Sequence, residues 1–341
     1  MLSRLPRLLR PPLSRSLASF PPPRLFSYDK IVANMSVADA IPAIEDCFIK
    51  LAQGQVDVPM PMHIGIPESG AAGPGDCHVK GGHVIGASTW TVKLANVSFY
   101  KNPDRGLPPG SGVFIVVCSE TGAPLGIFSE NRYLTDCRTG AAGGVAFKHC
   151  AAPGMDTVGF IGAGAIAKVM ARAASCIRPF RGVVYAPDGA EAFKKEMENE
   201  LSMPFEVVDS AEKLCRKSDV IYTQTPGSKT VLEKKWLKDR VTIIASGSDQ
   251  PTKQELPTDV MAASTYITDL TNQCVRVGEL RSAVKDGSMK ESDVYAELGE
   301  VVAGMKPSDF SGIVVVDLTG TGAQDAAIGT VAWDKMSKLP E

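Results

Sequence analysis

The sequence predicts an α/β protein in two parts: a doubly wound parallel sheet in its second half, and a smaller α/β unit on a mixed sheet in its first. Three observations carry this. After Met155, short apolar segments alternate with helical ones across turns of a few residues, the pattern of a parallel sheet covered on both faces. Before it, apolar β-like runs follow one another directly and are broken by Gly and Pro, as in antiparallel or mixed sheets. At the first strand-to-helix junction of the second half stands a Gly-x-Gly turn.

Residues 1–27 stand apart, with five Arg, six Pro and no Asp or Glu. An acid-free leader rich in Arg and Ser, without a long apolar stretch, is expected to be a mitochondrial transit peptide. A plastid leader and the disordered tail of a cytoplasmic protein are the competing readings. From Ser36, a plausible N-cap, Val37, Ile41, Ile44, Phe48 and Leu51 recur at helical spacing. Strands are expected within 78–86, 89–99, 111–119 and 124–129, and a helix of small residues over 139–151. The parallel unit is expected over 153–305, with strands near 157–161, 181–186, 218–224, 241–246 and 265–270. The tail, 306–341, is expected to rejoin 28–150 in the first domain.

Composition excludes several classes. Net charge is −2, so no basic field draws in nucleic acid or an anionic membrane surface. No apolar run approaches the ~18 residues of a membrane span. Eight cysteines are scattered without a C-x-x-C pair and read as reduced, packed thiols. His78 and His83 lack a clear third ligand, so no metal site is expected, and local hydrogen bonding is the better reading of both.

The turn itself is more specific. VGFIGAGAIAKV places Gly162, Ala163, Gly164, Ala165, Ile166 and Ala167 between an apolar strand and a helix, the context a Rossmann-type dinucleotide site requires. Gly162 permits the tight turn, Gly164 lets the backbone approach a pyrophosphate, and the helix N-terminus offers free N–H groups. The next strand ends near Ala186, with Asp188 two residues on. A carboxylate there would hold an adenosine ribose and repel a 2′-phosphate, which favours NAD over NADP; a plain helix N-cap is the alternative reading of Asp188.

Six segments in order carry a resemblance: TVKLANVSFYKN, TGAPLGIFSENRYLTDCRTGAAG, VGFIGAGAIA, SDVIYTQTPGSKTVL, SGSDQPTKQEL and VVDLTGTGAQDAA. Together they resemble the ornithine cyclodeaminase/mu-crystallin family across nearly the whole chain after the leader. The resemblance implies a Rossmann-type NAD(P)-binding domain, a second mixed-sheet domain for substrate and dimerisation, and a homodimer. It also implies C–N chemistry on a small amino or imino acid, by an imine reductase or amino acid dehydrogenase. A cyclodeaminase that recycles NAD internally and a non-enzymatic mu-crystallin-like binding protein are the rivals.

The residues read consistently beside it. Lys93 lies in an apolar strand pattern where an unpaired ammonium is costly, and the matching family Lys contacts substrate. Arg138 has the planar fork for an α-carboxylate; an ion pair with Asp136 is its structural alternative. Asp249 follows a strand whose C-terminal end should line the cleft, and the matching family Asp handles water or a proton. Thr139, Thr225, Pro226 and Thr321 are expected near the cofactor, with Asn102, Gly140 and Gln324 as weaker candidates. Two departures matter. The segment VPMPMH, with Pro61 and His63, lacks an Arg that many relatives carry. Thirteen residues before Lys93, where cyclodeaminases place a Glu, stands Lys80. A cation there would repel a diamino acid and welcome an acidic side chain, as in an iminosuccinate-like substrate, unless Lys80 points to solvent.

Overall fold

The computed structural model describes residues 19–66, 75–99, 101–227 and 229–340. The first sheet contains β1 (Arg24–Phe26), β2 (Val56–Asp57), β3 (Met62–Ile66), β4 (Gly75–Val84), β5 (Thr89–Val97), β6 (Ser111–Cys118) and β7 (Pro124–Ser129). Its order is β1-β7-β6-β5-β4-β2, with β3 also on β4. All pairs are antiparallel except β1 with β7, which makes the sheet mixed. Helices α1 (Tyr28–Asn34), α2 (Val37–Ala52) and α3 (Tyr133–Cys150) belong to this half. Ser36 caps α2 in a capping box with Asp39, satisfying two orphan donors at once.

The second sheet is wholly parallel in order β10-β9-β8-β11-β12-β15-β13-β14. Its strands are β8 (Thr157–Ile161), β9 (Arg181–Tyr185), β10 (Phe205–Val207), β11 (Val220–Thr223), β12 (Val241–Ala245), β13 (Thr265–Thr268), β14 (Ala296–Glu297) and β15 (Ile313–Asp317). Around it lie α4 (Ala165–Ile177), α5 (Ala190–Leu201), α6 (Ala211–Lys217), α7 (Thr258–Ala262), α8 (Thr271–Val277), α9 (Leu280–Asp286) and α10 (Leu298–Val302). The final helix, α11 (Gly322–Met336), leaves this sheet and packs on β4, β5 and α2 of the first half. The order reverses at β8, leaving a crevice at the strand C-termini where doubly wound sheets bind ligands.

Three expectations need correction. Residues 306–341 do not return to the first domain as a block: β15 is a central strand of the parallel sheet and only α11 goes back. The tail strand is almost wholly apolar, Ile313–Val316, as strands buried on both faces must be. The segment set aside as leader, 1–27, extends too far, because Phe26 is buried and stacks on Phe128 at 4.5 Å. Arg24 donates to the Ser337 and Leu339 carbonyls, so residues 24–27 are part of the fold; residues 1–18 lie outside the described residues. Finally, α3 begins at Tyr133 rather than 139, which places Arg138 inside the helix.

Helix α3 is a packing device as well as a scaffold. A Cβ on Gly140 would lie 2.7 Å from Val169 Cγ2, and one on Gly143 would lie 2.1 Å from Met170 Sδ. Gly140 thus serves the α3–α4 contact and not a phosphate. Close packing of two helices at small residues fixes the angle between the halves.

Candidate active site

The expected turn forms as the sequence implies. Gly162 has φ +109°, a conformation that favours glycine, and its N–H donates to the Tyr185 carbonyl at 2.8 Å. Gly164 caps α4 with φ −79° and no side-chain cap. A Cβ placed on it would meet no protein atom within 4 Å. Its freedom is therefore reserved for something outside the chain. Free N–H groups at the start of a 13-residue helix, bordered by Gly164 and the exposed Ala165, fit a dinucleotide pyrophosphate. Asp188 is exposed beside this turn, next to Gly189, whose Cβ would lie 4.0 Å from that of Ala163. The helix N-cap is Gly189 at φ +80°, so Asp188 is not a cap and its carboxylate stays available.

Facing the turn, a cleft of about 300 Å³ gathers residues from both halves. Lys80, Lys93, Arg138, Thr139, Gly164, Ala165, Ile166, Thr225, Pro226, Asp249 and Gln324 all line it. Lys80 and Lys93 are direct cross-strand partners on β4 and β5, an arrangement that is repulsive by itself. Each is relieved separately. Lys93 Nζ donates to Asp325 Oδ1 at 2.8 Å. Lys80 Nζ donates to the carbonyls of Thr319 at 3.3 Å and Gly320 at 2.7 Å. Arg138 joins from α3, with Nε on the same Asp325 oxygen at 3.1 Å and Nη1 on Gln324 Oε1 at 3.3 Å. The ion pair with Asp136 does not form; Asp136 pairs with Arg132 instead.

Two buried cations, Lys93 and Arg138, therefore share one buried carboxylate, and a third, Lys80, lies beside them on backbone carbonyls. Burial pushes Lys93 down to about 8 despite Asp325, and pushes Lys80 down as well. Burial would raise Asp325, but Lys93, Arg138 and Lys80 hold it below the usual carboxylate range. Burial likewise opposes ionisation of Asp249, yet Lys253 at 2.7 Å outweighs it and keeps the carboxylate charged. His78 lines the same wall; burial pushes it to about 4, so it is neutral near pH 7.

Sequence reasoning missed Asp325, and with it Glu130. Glu130 is fully buried and accepts from Thr135 N at 2.8 Å and Thr135 Oγ1 at 2.7 Å. It caps α3 from outside the helix and so fixes the turn that carries Arg138. Other candidates fall away from the cleft. Asn102 is not among the lining residues and donates to the Pro108 carbonyl within its own loop. Thr321 is fully buried as the N-cap of α11, behind the wall. His83 contacts Ser119 Oγ at 3.3 Å. Among the described residues, no group of three or more His, Cys, Asp or Glu is placed to hold a metal ion.

Fold and site together define a dinucleotide-dependent oxidoreductase with a cationic cleft between its mixed and parallel sheets. The sequence profile of the ornithine cyclodeaminase/mu-crystallin family matches residues 24–339, and the chain belongs to that family. Among solved structures it is similar to the Thermococcus litoralis Δ1-pyrroline-2-carboxylate reductase in complex with NADH and L-proline. That match has a TM-score of 0.86 at 25% identity, over 92% of this chain and 98% of that one. An archaeal alanine dehydrogenase, a dimer with bound NAD, gives 0.85 at 28% identity over 94% and 98%. The Paracoccus denitrificans iminosuccinate reductase with NAD+ gives 0.83 at 27% identity over 92% and 96%.

Proposed function

We propose that the chain is an NAD(P)-dependent reductase of a small α-imino acid, or in reverse an amino acid dehydrogenase, with a preference for an acidic side chain. One observation carries this: Lys80, Lys93 and Arg138 line one wall of the cleft, where Lys93 and Arg138 share the Asp325 carboxylate and Lys80 is held by the Thr319 and Gly320 carbonyls. With Asp249 paired to Lys253, the three cations outnumber the Asp325 carboxylate they surround, and this positive surplus suits a dianionic substrate. Arg138 and Lys93 take the α-carboxylate, and Lys80 beside neutral His78 takes the distal one. The residues around Gly164 and Thr225 hold the cofactor, and Asp188 favours NAD. Bound there, the nicotinamide supplies the hydride. Lys93, with its value near 8, is mostly protonated at neutral pH and gives the proton to the imine nitrogen. Asp249 stays ionised and favours the positive charge of a protonated imine. A diamino acid fits poorly, since its second ammonium would face Lys80, and this weighs against cyclodeamination. The intact set of Lys93, Arg138 and Asp249 weighs against a purely binding role.

A homodimer is part of the same reading. Met62, Ile64 and Ile66 on β3 are 59, 46 and 40% exposed, an apolar stripe on a sheet edge suited to a second copy. The acid-free leader supports import into mitochondria, which a fluorescent fusion of the full chain tests by its location. The enzymatic test is NADH consumption with oxaloacetate, pyruvate or glyoxylate plus ammonia or methylamine, and with cyclic imines. L-Ornithine with catalytic NAD runs alongside. Oxidation of NADH that Lys93→Ala abolishes supports the proposal. Ammonia from ornithine without net NADH change overturns it.

A further inference from the structure

Behind the cleft wall, Asp269 is fully buried just after β13 and, among the described residues, contacts no cation directly. Its carboxylate accepts from Thr319 N at 2.8 Å, Gly320 N at 2.7 Å, Thr319 Oγ1 at 2.9 Å, Leu270 N at 2.8 Å and Cys274 Sγ at 3.3 Å. Three of these donors belong to the turn whose carbonyls hold Lys80. The peptide between Thr319 and Gly320 is clamped at both ends. Its N–H points at Asp269, and its C=O receives the Lys80 ammonium. Gln273 Nε2 pins the same turn through Thr319 Oγ1 at 2.8 Å and the Gly320 carbonyl at 3.0 Å.

We infer that Asp269 is a positioning residue for substrate selection: through the Thr319–Gly320 peptide it aims Lys80 at the distal carboxylate and keeps it charged. A carboxylate polarises the peptide N–H it accepts from, and the carbonyl at the other end becomes a better acceptor for the ammonium. Lys80 needs that support. It faces Lys93 on β5 and Arg138 on α3, both cations, with Asp325 on α11, Asp249 after β12 and Asp269 itself as the opposing charges, and neutral His78 on its own strand. Burial raises Asp269, and Asp317 and Glu297 stand near it as further carboxyl groups, so its ionised form depends on the hydrogen bonds it receives and on Lys80. This inference rests on the reading of Lys80 as the distal-carboxylate contact.

The test is the ratio of kcat/KM for oxaloacetate plus ammonia over pyruvate plus ammonia, measured from pH 6 to 10. Asp269→Asn should lower that ratio about tenfold, mainly through KM for oxaloacetate, the effect of shifting one ammonium by about one pK unit. The pH above which the ratio collapses should move down by a similar interval. Lys80→Met should lower the ratio too, and combining the two should add little, because both act on one contact. Thr319→Val removes one donor to Asp269 and the acceptor of Gln273 Nε2 with little change of shape, and should give a smaller fall in the same direction if Asp269→Asn does not fold. Calorimetric binding of L-aspartate should weaken in parallel. Equal losses for both substrates, or additive effects of Asp269→Asn and Lys80→Met, would overturn the inference while leaving the reductase standing. A wild-type enzyme that reduces imines without distinguishing the two would remove the role of Lys80, and this one with it. No NADH oxidation with any imine would remove the reductase reading altogether.

Discussion

Replacing Asp325 by Asn tests the centre of the site, because the side chain keeps its shape and loses only its charge. At the 2.8 Å separation from Lys93, an effective dielectric of about 20 gives an attraction of roughly 6 kcal/mol, or about four pK units. Lys93 already sits near 8, so in the variant it sheds its proton at neutral pH. Arg138 cannot do the same. Stripped of its one carboxylate contact among the described residues, 3.1 Å away, a guanidinium stays charged, and a buried ion left unpaired costs roughly 3–5 kcal/mol. Two separable outcomes follow. Urea denaturation at pH 7 should show a loss of roughly 3–5 kcal/mol. Pre-steady-state NADH oxidation should slow by about 10²–10⁴, the range of a lost general acid. Asp325→Asn with a rate within threefold of wild type would refute the reasoning, because the triad would then be neither aligning Lys93 nor setting its charge.

Gly164→Ala should fold normally, since φ is −79° and the new methyl meets no protein atom within 4 Å, yet it should weaken NADH binding in a fluorescence titration by tenfold or more. Unchanged binding would mean that the turn does not receive the pyrophosphate. Asp188→Arg should turn preference from NADH toward NADPH in paired kcat/KM measurements; an unaltered ratio would place the ribose elsewhere. Asp317 provides a pH test. Burial and Asp269 raise it to about 7 from 3.8, so the native state binds more protons than the unfolded chain between about pH 4 and 7, and Asp317 makes stability fall as pH rises through that window. Asp317→Asn, compared with wild type by denaturant titration at pH 4.5 and 7.5, should gain relative stability at the higher pH, with roughly 4 kcal/mol as the upper bound. A difference independent of pH would show that Asp317 is ionised throughout.

Much of the site was readable from the chain because each legible residue broke a local rule. Lys93 interrupts an apolar alternation, and Gly162–Gly164 sit where a strand must turn sharply into a helix. Lys80 was readable as an exception to a family position. Asp325 was not, although it holds Lys93 across 232 residues of sequence. A signal existed: it is the only acid among Gly, Ala and Gln in GAQDAA, and a charge within a close-packed helix demands a partner. Asp269 and Glu255 were silent because most of their hydrogen bonds come from backbone N–H groups, which no side-chain pattern reveals. Glu255, for example, accepts from Thr225 N and Gly247 N at the two strand ends lining the cleft. The boundary error had a physical origin too. A strand followed by a Gly-rich turn and a helix looks like one unit, and sequence cannot show that the strand stays in one sheet while the helix crosses to the other.

That crossing has a mechanical consequence. The chain passes from one half to the other twice, at residues 151–156 after α3 and at residues 318–321 after β15. Two fixed points define a line, and any opening of the halves that leaves the chain unstretched is a rotation about it. Displacement in a rotation grows with distance from the axis. Lys80, Arg138 and Asp325 gather around the second of these points and barely move when the jaws part. The α3–α4 contact restrains that rotation, and whatever motion remains leaves the charged grip near the axis least disturbed.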